Sequence, residues 1–184
     1  TMNRIQSSIK FKDGTLVPRK TRAVYLGVIL TDTNDNLAEV NNRIADAWAT
    51  ANRLKLFWDK AKCTESWKLL VFDAIVKSKL VYGLETVQLS RAEQRRLDAF
   101  QMKGIRNILG IPSTYEDRIW INKRVREVAS GELERPLELC TEAWNKAKYR
   151  LLGHLLRTHN MEDAMRQVTF EGDTWYPRVI PRRR

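Results

Sequence analysis

The sequence predicts a mainly α fold: a short N-terminal β-hairpin or small sheet, then a helical bundle of about five helices. Three observations predict it. Up to residue 30, apolar residues alternate or run together between turn-forming Gly and Pro residues, as they do in strands. After Asp32-Thr33-Asn34 the apolar spacing changes to three and four and stays helical. Capping residues and Gly or Pro stops then divide that stretch into lengths typical of globular helices. With 184 residues, 43% of them hydrophobic and 30% charged, the chain is long enough to bury a core. It is too apolar for a wholly disordered or collagen-like chain.

The first 30 residues justify the sheet. Ile9 and Phe11 alternate with Lys10 and Lys12, and Lys12-Asp13-Gly14-Thr15 is a turn in which Gly supplies the positive φ. Pro18 limits its segment to an edge or a strand end. Ala23 to Leu30 is a near-continuous apolar run, expected as a strand buried on both faces, with Gly27 marking a bulge or a close backbone approach.

The helices follow. Asn36 and Glu39 suit an N-cap and N3 pair opening one long helix, 36–61, whose stripe is Leu37, Val40, Ile44, Ala47, Ala51, Leu54 and Trp58. A second begins near Thr64, with Trp67, Leu70, Val71, Ala74, Ile75 and Ser78 expected on its inner face and a break at 80–86 around Gly83. Ser90 and Glu93 form a capping box for a third, 91–109, which Gly110-Ile111-Pro112 stops. Ser113 and Glu116 repeat the box for a fourth, 114–129. Pro136 suits the first turn of a fifth, 136–158, with Leu137, Cys140, Ala143, Trp144, Ala147, Leu151 and Leu155 inward. A short helix at 161–168 and an extended tail complete the chain. The expected organisation is a β-hairpin over 1–34, a helical bundle over 35–112, a helical extension over 113–170 and a basic tail over 171–184.

Charge gives the first functional indication. Lys and Arg total 33 against 22 Asp and Glu, a net charge of +11. Residues 1–34 carry +4, residues 35–90 carry +1 and residues 91–184 carry +6. The middle reads as scaffold and the ends as contact surfaces for a polyanion. No segment nears the ~18 unbroken apolar residues of a membrane span, so no membrane partner is expected. The N-terminus lacks the apolar stretch of a secretory signal, so secretion is not expected. Cys63 and Cys140 are too few for a disulfide scaffold or a zinc module and read as reduced core thiols.

The chemistry of an active site is missing. There is no Gly-rich phosphate loop. His154 and His159 are five residues apart, and no metal site is assigned to them. Glu116-Asp117 and Glu162-Asp163 are neighbours that point about 100° apart in a helix, so neither pair converges on a metal. Two-metal nucleotidyl transfer needs carboxylates shared by ions about 4 Å apart, and no such set is present. No catalytic residue, metal or cofactor is therefore assigned. The chain offers cations instead. On the third helix Arg95, Arg96, Lys103 and Arg106 fall on one stripe, opposite Leu97, Phe100, Gly104 and Ile108. Such a stripe suits a phosphate backbone, or else is a solvated helix face. Arg118, Lys123, Arg124 and Arg126 follow, and Arg182, Arg183 and Arg184 close the tail. Of six tryptophans, Trp48, Trp58, Trp67 and Trp144 sit on apolar stripes and are expected in the core. Trp120 and Trp175 are the exposed stacking candidates.

The order of several short motifs carries a resemblance. Tyr25-Leu26-Gly27 is followed by Arg43-Ile44 and Ala47, then Lys68, then Leu80-Val81-Tyr82-Gly83-Leu84-Glu85-Thr86. Ile105-Arg106-Asn107-Ile108-Leu109-Gly110-Ile111 and Gly153-His154-Leu155-Leu156-Arg157 come next. Over residues 5–160 this resembles the C-terminal palm and thumb portion of the reverse transcriptases of non-LTR (LINE-type) retrotransposons. The resemblance implies a thumb-like bundle that grips a template–primer duplex, with Tyr25, Leu26 and Gly27 in a hairpin similar to the primer grip. Val87 stands where that family usually has Trp. The family's Asp-Asp pair is absent, and so is its downstream Cys- and His-rich knuckle.

Two functions follow from the resemblance. One is a non-catalytic nucleic-acid-gripping module of an RNA-directed DNA polymerase whose palm lies elsewhere. The other is a domesticated RNA-binding subunit of a large ribonucleoprotein such as a ribosome. Either takes RNA or an RNA–DNA duplex as partner, and the second adds other protein subunits. The first implies a nuclear location, the second an organellar or cytoplasmic ribonucleoprotein.

Overall fold

The computed structural model describes residues 10–16, 18, 20–31 and 36–157. The fold is mainly helical, with a two-stranded antiparallel hairpin ahead of the helices. Strands β1 (Arg22–Tyr25) and β2 (Val28–Thr31) pair with Tyr25 opposite Val28 and Arg22 opposite Thr31. The apolar run 23–30 is therefore two strands and a turn, not one buried strand. Leu26 at φ 48° and Gly27 at φ 77° form a two-residue connection with both residues left-handed, the geometry that matches strand twist. A hairpin of two short strands has little to bury: β1 is exposed throughout, and Ile29 is the hairpin's one buried residue. The Lys12–Thr15 turn is present, bracketed by an isolated Lys10–Leu16 bridge.

Six helical rods follow among the described residues. The long first helix is instead α1 (Leu37–Arg53) and α2 (Lys55–Lys60), broken at Leu54. Asn36 does not cap α1; its amide donates to Gln88 O, 3.0 Å away. Glu39 turns to the hairpin instead and accepts from Ile29 N at 2.7 Å. The second rod runs through α3 (Glu65–Val71), a π-helical turn (Phe72–Lys77) and α4 (Ser78–Val81). The Thr64 side chain caps it by accepting from Trp67 N. Its inner face is Leu69, Phe72, Val76 and Leu80; the expected face holding Trp67, Leu70, Ala74, Ile75 and Ser78 is exposed. This rod is apolar on both sides, and the wide π turn brings Phe72, Val76 and Lys77 inward together. Gly83, at φ 74°, ends it beneath the hairpin: a Cβ there would lie 2.6 Å from Val28 Cγ2.

Helix α5 (Arg91–Leu109) has the expected bounds, the Ser90–Glu93 capping box and a left-handed Gly110 stop. The Ser113–Glu116 box also forms, but it closes a single turn. Asp117 then accepts from Ile119 N, diverting the chain, and α6 starts only at Asn122 (Asn122–Glu132). Pro136 lies before α7 (Cys140–Arg157), not in its first turn. Glu142 starts that helix by accepting from Leu139 N at 2.8 Å. One apolar core runs through the bundle, from Val40 and Ala47 through Leu97 and Ile105 to Val125, Cys140 and Trp144. Trp144 is buried and donates to Leu84 O at 2.7 Å. Trp48 and Trp67, expected in that core, are 44% and 55% exposed. Among the described residues no helix is long and apolar enough to cross a membrane.

Candidate nucleic-acid interface

The α5 face is set by its own periodicity. Leu97, Gln101, Met102, Ile105 and Ile108 are buried, so the exposed positions are Arg91, Ala92, Arg95, Arg96, Ala99, Lys103 and Asn107. Four of these are cations and none is a carboxylate. Arg95 has no ion-pair partner among the described residues. Arg96 donates to Asn41 Oδ1 on α1 at 2.6 Å, an uncharged partner that holds the guanidinium in place without neutralising it. Lys103 Nζ stands 5.0 Å from the Trp48 ring centroid, which also leaves its charge available.

Arg106 is not part of this face. It is 8% exposed and donates to Pro112 O at 2.7 Å, Trp120 O at 2.6 Å and Asn122 Oδ1 at 3.0 Å. The segment between α5 and α6 folds back over it, and the guanidinium staples that segment to the helix. Arg126 is likewise engaged: its Nε donates to Leu137 O, and its Nη2 donates to both carboxylate oxygens of Glu142 at 2.7 and 3.0 Å. Arg118 and Lys123 are exposed and have no ion-pair partner among the described residues. Arg124 lies 5.1 Å over Trp120, which is half-buried against the core and not an open platform. Arg182, Arg183, Arg184, Trp175, His159 and the 161–168 helix lie outside the described residues.

Sequence reasoning missed the neighbour of α5. Helix α1 presents Asn41, Ala45, Trp48 and Asn52, all exposed and spaced four, three and four, beside that cationic face. The pairing of Asn41 with Arg96 and of Trp48 with Lys103 and Phe100 joins the two helices into one surface. The four-three-four spacing is present in the sequence, but it becomes a surface only where α1 packs beside α5.

The hairpin turn is held from two sides. Arg43 is buried, pairs with Glu39 at 2.5 Å and donates to Gly27 O, while its guanidinium lies 5.0 Å over Tyr82. Tyr82 Oη donates to Leu26 O at 3.4 Å. The turn is thus fixed from behind while Val24, Tyr25 and Leu26 project 65–74% exposed. A second buried cation, Lys77, is held by Asp73 at 2.9 Å and Glu138 at 3.1 Å. Burial opposes its charge, but the two carboxylates outweigh it and its affinity for the proton rises.

No group of three or more His, Cys, Asp or Glu among the described residues is placed to hold a metal ion. No protein-family model matches the chain, and comparison with curated proteins and with solved structures finds no match.

Proposed function

We propose that this chain is a non-catalytic module that grips the backbone of a nucleic-acid duplex, RNA or RNA–DNA, in the manner of a polymerase thumb. The observation that carries the reading is the exposed face of α5, with Arg91, Arg95, Arg96 and Lys103 and no carboxylate among its exposed residues. Phosphate oxygens are recognised by such donors irrespective of base sequence. The resemblance to non-LTR reverse transcriptases supports it, since there the thumb follows a hairpin like the one at Tyr25, Leu26 and Gly27. The fixed turn with outward Tyr25 and Leu26 fits a surface that meets a primer end or a neighbouring protein.

The second reading, a domesticated RNA-binding subunit of a ribonucleoprotein, is favoured by a separate observation. Trp67, Leu70 and Ile75 leave an apolar helix side exposed, as expected of a part that packs into a larger assembly. The deciding measurement is anisotropy of a labelled RNA duplex titrated with the wild type and with R95Q/R96Q/K103Q. The variant should fold normally and bind every duplex more weakly. Equal affinity for the two proteins would overturn the assignment.

A further inference from the structure

Between the α1–α2 elbow and the C-terminal half of α5 lies a cleft of about 680 Å³, within the size range of small-ligand sites, roughly 300–1,000 Å³. We infer that this cleft receives an unpaired nucleobase from a single strand running off the gripped duplex, with Trp48 as its stacking platform. The inference rests on the proposed duplex grip and extends it to a duplex–single-strand junction.

The cleft is built by the local structure. The break at Leu54 turns α2 so that Trp58 folds back, its indole N–H donating to Ala51 O at 2.9 Å. Gly104 lets Phe72 approach α5; a Cβ there would lie 2.4 Å from the ring. Trp58 and Phe72 then pack edge to face at 6.4 Å and make an aromatic floor. Trp48 and Phe100, also edge to face at 6.4 Å, form the wall nearest the α5 cations. An indole 44% open to water is an unusual use of the largest apolar side chain.

Polar groups ring the mouth. Lys55 and Lys103 bring two positive charges against the one carboxylate of Asp59, and the Asn52 and Asn107 side-chain amides make no hydrogen bond among the described residues. An amide offers one acceptor and two donors, which matches the edge of a base. The cation above Trp48 is a weak occupant, since an exposed contact of this kind contributes about 0.5–1 kcal/mol while a stacked base contributes about 1–3. A base that stacks on Trp48 displaces the Lys103 ammonium from the ring, and the freed ammonium meets the adjoining phosphate. A base paired within a duplex cannot enter, because its faces are already stacked. The ligand is therefore a strand without a partner, entering the cleft beside Lys55 and Lys103 while Arg95 and Arg96 stay on the duplex.

The test compares a blunt RNA duplex with the same duplex carrying a short single-stranded extension. The wild type should prefer the extended duplex by roughly five- to a hundredfold. Trp48→Leu should abolish that preference, lowering affinity for the extended duplex to that for the blunt one, while Trp48→Phe should keep part of it. Arg95→Gln with Arg96→Gln should weaken both duplexes alike and keep the ratio. Binding of the blunt duplex without any preference for the extension overturns the cleft assignment and leaves the grip standing. A preference that survives Trp48→Leu places the single strand elsewhere and also overturns it. No binding of either duplex removes the grip itself, and the cleft assignment with it. Competition at the cleft by an acidic peptide but not by a single strand would assign the cleft to a protein and overturn the inference.

Discussion

Arg106→Met separates a structural cation from a binding one. Methionine keeps the helix propensity and much of the volume but removes every donor. Pro112 O and Trp120 O then lose the guanidinium, the one donor each has among the described residues. A buried acceptor left without a donor costs about 1–3 kcal/mol. Both residues are half-buried, so the lower end applies to each, and the bond to exposed Asn122 adds little. The sum is a loss of about 2–3 kcal/mol. For a chain of this size that lowers Tm by roughly 4–12 °C. Urea unfolding followed by far-UV circular dichroism measures it. Arg106→Lys should lose a similar amount, because one ammonium cannot span three acceptors in the fork geometry of a guanidinium. A loss below about 0.5 kcal/mol in Arg106→Met would refute the staple and return Arg106 to the surface stripe.

Three further outcomes are expected. Gly83→Ala should destabilise the fold by at least about 1–2 kcal/mol, the cost of a left-handed non-glycine residue, before the clash with Val28 is counted; an unchanged melting curve would contradict the close approach. Burial pushes the Cys140 thiol up and shuts it away, so a thiol reagent should modify half-buried Cys63 in the native protein and reach Cys140 only on unfolding. Two equally fast thiols would contradict this. The hydrogen bond from Lys146, then Lys77, holds the Glu138 carboxyl below its usual 4.5. For Glu142, burial acts the other way and is outweighed by Leu139 N–H and Arg126. Both carboxylates therefore stabilise the fold above pH 4.5 and lose that contribution as pH falls below it. Denaturation midpoints should drop from about pH 5 downward, less steeply in Glu138→Gln.

The parts of the fold that local rules decide were legible. Helix α5 carries its capping box, its glycine stop and a single apolar stripe, and its bounds agree with the structure. Where two local signals compete, packing decides. The α3–α4 rod has two apolar sides, and nothing in its spacing tells which one meets α1 and α5. Trp48 stands one residue, about 100°, beyond buried Ala47, close enough to the stripe to be read as core. The site was half legible for a related reason. Helical spacing puts Arg106 on the face of Arg95 and Lys103, but the 112–121 segment crosses that face only in three dimensions. Asn41 and Trp48 gain meaning only once α1 lies beside α5, a long-range contact that periodicity does not contain.

The central claim, that the α5 face neutralises phosphates, is tested most directly by the salt dependence of duplex affinity. Each phosphate contact contributes a log–log slope of about −0.7 to −0.9. Removing Arg95, Arg96 and Lys103 together should make the slope for an RNA duplex shallower by roughly two to three units, with the same change for duplexes of unrelated sequence. A triple variant that stays folded and keeps the wild-type slope would contradict the account.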